Sequence, residues 1–165
     1  MKLNLDSIEI RPISKNDNEE LAKVIRDTLK EFGANRPGTV YFDPTTDNLF
    51  ELFQKPKSFY QVAVYNGQIT GGGGIFPSDG LPEDTCELVK MYLLPEFRGI
   101  GLGSRLIQDC LNMASTLNFK NVYLETMPEL KNALKSYEKF GFNYLNGPLG
   151  NTGHFGCGLW MLKEL

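Results

Sequence analysis

A chain of 165 residues is near the commonest size of one compact domain and buries about 70% of its unfolded surface, so a single domain spanning 1–165 is expected. With 41% hydrophobic, 22% charged and 12% aromatic residues, it is neither a disordered polyelectrolyte nor a fibrous repeat. Seventeen basic against 20 acidic residues leave a net charge of -3, which argues against nucleic acid as a partner, because phosphate-backbone affinity comes from many Lys and Arg displacing counterions.

No run approaches the roughly 18 to 20 apolar residues of a spanning helix. The opening MKLNLDSIEI breaks its apolar positions with Asn4, Asp6 and Glu9, so neither a membrane segment nor a signal core is expected. Cys86, Cys110 and Cys157 are odd in number and far apart, unlike a secreted disulfide framework, and the expected compartment is the reducing cytoplasm. His154 and Cys157 form an HxxC pair, but structural zinc wants four ligands and the chain has no other histidine and no CxxC, so no metal is expected.

The first strand is expected over 8–13, followed by Ser14 and Asp17 at capping-box spacing. Leu21, Val24, Ile25, Leu29 and Phe32 recur at three and four and predict an amphipathic helix stopped by Gly33. ANRPGTVYFDPTTD reads as a long loop before a short helix near 47–53. Residues 60–65 and 68–76 are β-rich runs joined by Asn66-Gly67, which tolerates the positive φ of a two-residue hairpin. Gly71 to Gly74 lack the Gly-Lys-Ser/Thr ending of a P-loop and read as a strand passing close to another group.

A strand over 86–94 alternates, with Glu87, Val89, Met91 and Leu93 expected on one face and Leu88, Lys90 and Tyr92 on the other. A helix follows with Leu106, Ile107, Cys110, Leu111, Ala114 and Leu117 on one stripe, then a strand at 122–126. Leu130, Ala133, Leu134 and Tyr137 mark a further helix closed near Gly141, and two last strands fall at 142–145 and 159–162. The order β-α-α-β-β-β-α-β-α-β-β is mixed α/β.

LLPEFRGIGLGSRLI is the most informative stretch. A strand ends at Pro95, glycines at 99, 101 and 103 crowd a turn, and an apolar helix begins at once. Glycines remove Cβ atoms so that backbone N–H groups can converge on phosphate oxygens, and the helix start adds unpaired donors and partial positive charge. A tight turn with no ligand uses the same residues. A dinucleotide site would want GxGxxG near the start of a βαβ unit, whereas these glycines alternate as GxGxG after three strands and two helices.

With Arg98, Gly101 and Gly103 in place, the sequence resembles the GNAT superfamily of acyl-CoA-dependent N-acetyltransferases, whose signature is Arg or Gln, two residues, Gly, one residue, then Gly or Ala. Leu93-Leu94-Pro95 matches the element upstream of it, and YEKFGF at 137–142 matches the later Tyr-Glu-Lys-x-Gly-Phe element. The resemblance implies a central, mostly antiparallel mixed sheet of about six or seven strands flanked by about four helices. It also implies acetyl-CoA as acyl donor, held by Met91, Leu93, Arg98, Gly99, Ile100, Gly101, Leu102, Gly103 and Ser104. The strand before the turn is expected to splay from its neighbour, and the Leu93 amide to hold the thioester oxygen. Many relatives carry an Asn seven residues before the helix tyrosine; Leu130 stands there, the nearest Asn is Asn132, and that contact is not carried over.

Acyl transfer to an amine needs a neutral amine, a stabilised oxyanion and a proton for the departing thiolate. The resemblance implies Glu87, six residues before Leu93, as general base, with apolar neighbours raising its pKa; the alternative is an edge or ion-paired carboxylate. It implies Tyr137 as general acid beside the sulfur, against a core tyrosine on the stripe of Leu130, Ala133 and Leu134. Arg98 either orients phosphate or sits solvated, and Ser104 either donates to phosphate or caps. Tyr41, Phe42, Glu125 and His154 either line the acceptor cavity or belong to core, loop or surface, with His154 as a second base in the first case. Cys86 should point away from Glu87, which disfavours a covalent acetyl-cysteine.

The expected activity is therefore acetyl transfer from acetyl-CoA to a small primary amine or amine-bearing side chain, free or on a peptide, by direct attack in a ternary complex. A non-catalytic acyl-CoA sensor is the alternative, and a dinucleotide-binding oxidoreductase a distant third. A homodimer is left open.

Overall fold

The computed structural model describes residues 2–152 and 156–165. In chain order the elements are β1 (Glu9–Pro12), α1 (Asn18–Glu31), α2 (Leu49–Leu52), β2 (Phe59–Tyr65), β3 (Gln68–Phe76), β4 (Thr85–Leu93), α3 (Leu102–Thr116), β5 (Asn121–Thr126), α4 (Lys131–Lys139), β6 (Asn143–Tyr144) and β7 (Leu159–Glu164). This is the order expected from apolar periodicity, with boundaries moved by one or two residues. The segment read as a plain loop before α2 contains two short 3-10 helices, Val40–Phe42 and Pro44–Asp47. The second begins where the Asp43 carboxylate accepts the Thr45 N–H at 2.9 Å.

The helix signals act as local chemistry predicts. Asp17 accepts hydrogen bonds from the Ser14 N–H at 2.7 Å and the Ser14 hydroxyl at 3.2 Å, closing the box ahead of α1. Leu21, Val24, Ile25 and Leu29 are buried on one stripe, and the helix stops at Gly33, whose φ of 69° is left-handed.

The strands form one seven-stranded sheet in the order β1-β2-β3-β4-β5-β7-β6. Every neighbouring pair is antiparallel except β4 with β5. Asn66 (φ 50°) and Gly67 (φ 77°) make the predicted two-residue turn between β2 and β3. One face packs Leu21, Ile25 and Leu29 of α1 and Leu49 of α2. The other packs Ile107, Cys110 and Leu111 of α3 and Tyr137 of α4. Buried Gln61 of β2 is satisfied across this second layer, its side-chain N–H donating to the Leu106 carbonyl at 3.1 Å.

The four glycines of β3 are a close-packing device. A Cβ at Gly72 would lie 2.7 Å from the Gln61 carbonyl oxygen and 2.9 Å from the Tyr60 ring and its hydroxyl, while Gly71 and Gly73 leave room for Leu93 and Met91. Gly72→Ala is expected to cost about 1–3 kcal/mol, the usual penalty of overpacking. A urea unfolding midpoint unchanged from wild type would contradict it.

Candidate active site

The turn expected to bind an anion lies between β4 and α3. A 3-10 helix, Pro95–Phe97, leads into Arg98, and both Gly99 (φ 77°) and Gly101 (φ 91°) take left-handed conformations that a side chain would strain. Helix α3 starts at Leu102 with no side chain capping it, and its first return hydrogen bond runs from the Arg105 N–H to the Gly101 carbonyl at 3.0 Å. The N–H groups of the first turn of a 15-residue helix thus have no side-chain cap and stand at the positive end of its dipole. A Cβ at Gly99 would meet nothing within 4 Å, so that side of the turn is open. Ser104 lies exposed in the first turn.

The Arg98 guanidinium reaches the cleft but is also tied within the chain. It donates to the Leu93 carbonyl at 3.1 and 2.9 Å, pairs with Glu31 at 2.6 Å and lies over the Phe32 ring, 5.0 Å from its centre. It braces the end of β4 against the end of α1.

Strands β4 and β5 pair only over residues 85–87 and 121–123, then part as expected. The opening continues into a cleft of about 400 Å³ that runs from the glycine turn, between the separated strands, to α4. Arg98, Gly99, Gly101, Gly103 and Ser104 line one end, Met91 and Leu93 the middle, and Glu87, Glu125 and Tyr137 also border it.

The face expected for Glu87 needs correction. Pairing of β3 with β4 slips between Gly72 and Gly74, where Lys90 adopts φ 52° and forms a bulge. The Tyr60 hydroxyl donates to the Lys90 carbonyl at 2.7 Å and holds the kink. Beyond it the alternation flips: Met91 packs with Cys86 and Leu88 on the α3 and α4 side, while Val89 and Tyr92 pack towards α1. Glu87 therefore does not share a face with Met91 and Leu93. It is 3% exposed, and its carboxylate accepts a 2.6 Å hydrogen bond from the Ser78 hydroxyl. Cys86 does point away from it, and burial pushes that thiol up to about 12.

Tyr137 is buried against Phe142, ring centres 5.9 Å apart, and burial holds its phenol well above the usual range. Among the described residues nothing hydrogen-bonds its hydroxyl, although the residue borders the cleft. Glu125 borders the cleft too, but both its oxygens are engaged, one by the Tyr123 hydroxyl at 2.7 Å and the other by the Thr152 hydroxyl. The Leu149 N–H in turn donates to the Tyr123 hydroxyl at 3.1 Å, so Glu125 ties the segment before β7 to β5.

Four expected site residues lie outside the cleft lining. Leu102, the first residue of α3, is fully buried, and Ile100 packs against the same cluster. Tyr41 packs on the α1 cluster, and Phe42 is 58% exposed on the loop surface. His154 lies outside the described residues. Among the described residues no group of three or more His, Cys, Asp or Glu side chains could hold a metal ion.

The sequence reading missed Lys90, Ser78, Cys157, Asn132 and Ser136. The last two lie four residues apart on α4 and both border the cleft. Lys90 carried the clearest signal, a lysine at an inward-reading position between Val89 and Met91. Burial lowers its pKa while Asp43 and Glu87 act in the opposite direction.

The sequence profile of the acetyltransferase (GNAT) family matches residues 21–142. The N-acetyltransferase YjgM of Escherichia coli (strain K12), itself described as uncharacterized, is 41% identical over 157 residues, covering 94% of each chain. Among solved structures, an acetyltransferase of the GNAT family from Staphylococcus aureus Mu50 superposes with a TM-score of 0.84 at 21% identity, over 96% of this chain and 99% of that one. The PaiA N-acetyltransferase of Thermoplasma acidophilum, solved in complex with coenzyme A, gives 0.75 at 20% identity over 96% and 99% of the two chains.

Proposed function

Because this chain belongs to the acetyltransferase (GNAT) family, we propose that it moves an acetyl group from acetyl-CoA to a small primary amine or amine-bearing side chain, by direct attack in a ternary complex. The observation that carries this reading is a single cleft joining an uncapped helix start to Glu87 and Tyr137. The residues present suit the donor. The N–H groups of Leu102, Gly103 and Ser104, beside Gly99 and Gly101, would receive the diphosphate, and the unpaired edges of β4 and β5 would receive the pantetheine amides. The bound thioester supplies an electrophilic acetyl carbon.

Glu87 takes one proton from the acceptor ammonium, directly or through one water, since an amine with a reference pKa of about 10.4 is otherwise protonated. Its hydrogen bond from Ser78 fixes the carboxylate's direction. The Leu93 N–H is assigned to the carbonyl oxygen that gains charge, and Arg98, by gripping the Leu93 carbonyl, keeps that length of strand in place. Tyr137 keeps its proton through the working pH range, so its hydroxyl serves as donor to the departing sulfur. The second proton lost by the nitrogen passes, directly or through water, to the Tyr137 oxygen, and the proton on Glu87 leaves to solvent, so amide and thiol are formed and both side chains are restored. An acetyl-cysteine route is disfavoured because Cys86 faces away and burial pushes Cys157, which borders the cleft, up to about 12, leaving little thiolate. Buried free thiols at all three cysteines support a reducing cytoplasm as the compartment.

Calorimetry with acetyl-CoA, together with thiol release measured across free amino acids, polyamines, aminoglycosides and peptide amines, tests the reading. Binding with thiol release for at least one amine class is expected; tight binding with none would turn the assignment to an acyl-CoA sensor. Tyr137→Phe is expected to lower kcat by about a hundredfold or more while leaving acetyl-CoA affinity intact. Equal kcat in the two proteins would reduce Tyr137 to a packing residue.

A further inference from the structure

Lys90 borders the cleft and has no part in the chemistry above. It occupies the bulge of β4, three residues from Glu87, in a left-handed conformation uncommon for a lysine. Its side chain is 3% exposed, yet among the described residues the one carboxylate within 4 Å of its ammonium is Asp43, at 3.6 Å, with Glu87 acting on it from farther off. That is loose for this molecule: Arg11–Asp17, Arg36–Glu129 and Arg98–Glu31 close to 2.8, 2.7 and 2.6 Å. Asp43 is not placed to tighten the pair, because its other oxygen accepts the Thr45 N–H at 2.9 Å and the Thr45 hydroxyl at 2.7 Å.

An ammonium has three donors and no acceptor, and a buried one left short of partners is costly. The missing partner is an anion that arrives with the acceptor. Glu87 is committed to the amine, and both Glu125 oxygens are engaged by Tyr123 and Thr152. Resting on the acetyl-transfer reading, we infer that Lys90 binds the carboxylate of the acceptor, which is therefore a free amino acid presenting its amine to Glu87 and its carboxylate to Lys90. A plain amine would bring a second cation beside Lys90 and leave it unsatisfied. Burial lowers the Lys90 pKa, and an incoming carboxylate acts in the same sense as Asp43 and Glu87, favouring the charged form.

The test compares each free amino acid with its decarboxylated counterpart, lysine with cadaverine and phenylalanine with phenethylamine among them, as acceptors for acetyl-CoA in wild type, Lys90→Met and Lys90→Arg. Wild type is expected to favour at least one amino acid over its amine by about ten- to hundredfold in kcat/KM, mostly through KM. Lys90→Met should lose far more on the amino acid than on the amine, and Lys90→Arg should recover part of the preference. Amines accepted as well as amino acids, or amines alone accepted, would overturn the inference while leaving acetyl transfer standing. Equal losses on both members of a pair would make Lys90 a structural ion pair and overturn it as well. No thiol release from any acceptor would remove the acetyl-transfer reading itself. If Lys90→Met melts before assay, the wild-type pair ratio and Lys90→Arg decide.

Discussion

Glu87→Gln is expected to lower kcat by about 10²- to 10⁴-fold, the range associated with losing a general base. The substitution keeps the size of the side chain, and the amide oxygen can still accept the 2.6 Å hydrogen bond from Ser78, so the cleft retains its shape. What disappears is the capacity to take a proton. Acetyl-CoA binding by calorimetry should be unchanged, because Glu87 lies near the start of β4 and the glycine turn follows its other end. The rate that remains should rise with pH as more acceptor is neutral before it binds. A kcat within twofold of wild type, about 0.4 kcal/mol, would remove Glu87 from the mechanism and return it to the role of a buried structural carboxylate.

Gly101→Ala is expected to have the largest effect on donor affinity. At φ 91° and ψ 0° the residue preceding α3 is left-handed, and placing a Cβ there costs about 1–3 kcal/mol. Either the strain remains in the folded protein or the turn relaxes and the N–H groups of 102–104 no longer converge. Both outcomes weaken acetyl-CoA binding, by about ten- to hundredfold on that scale. The nearest described atom to a Cβ at this position is a Leu5 side-chain carbon at 3.8 Å, so crowding is not the cause and the backbone angle is. Calorimetry with acetyl-CoA alongside a melting curve separates the two: full affinity in Gly101→Ala would mean that the turn does not carry the diphosphate.

Element order and the glycine turn were legible because they rest on short-range physics. Leu21 to Leu29 repeat at helical spacing, Asn66-Gly67 tolerate positive φ, and Gly99 and Gly101 stand where backbone must turn sharply into α3. The β4 bulge was not legible. Lys90 carries no mark of a left-handed residue, and the conformation is imposed from outside, by Tyr60 thirty positions earlier and by the register against Gly72 and Gly74. One extra residue was enough to reverse the faces of Met91 and Leu93 relative to Glu87. The role of Arg98 was hidden for a similar reason, its carboxylate partner Glu31 lying 67 positions away. The partner of Glu125 was hidden likewise, Thr152 lying 27 positions away.

The short register between β4 and β5 has a mechanical meaning. Three residue pairs rivet a four-strand panel, β1 to β4, to a three-strand panel, β5 to β7, and beyond the rivets no ladder spans the gap. A donor lying in that gap would hydrogen-bond to both panels at once and act as the missing rung. Occupancy at a hundredfold over the dissociation constant then adds about 2.7 kcal/mol to the folded state.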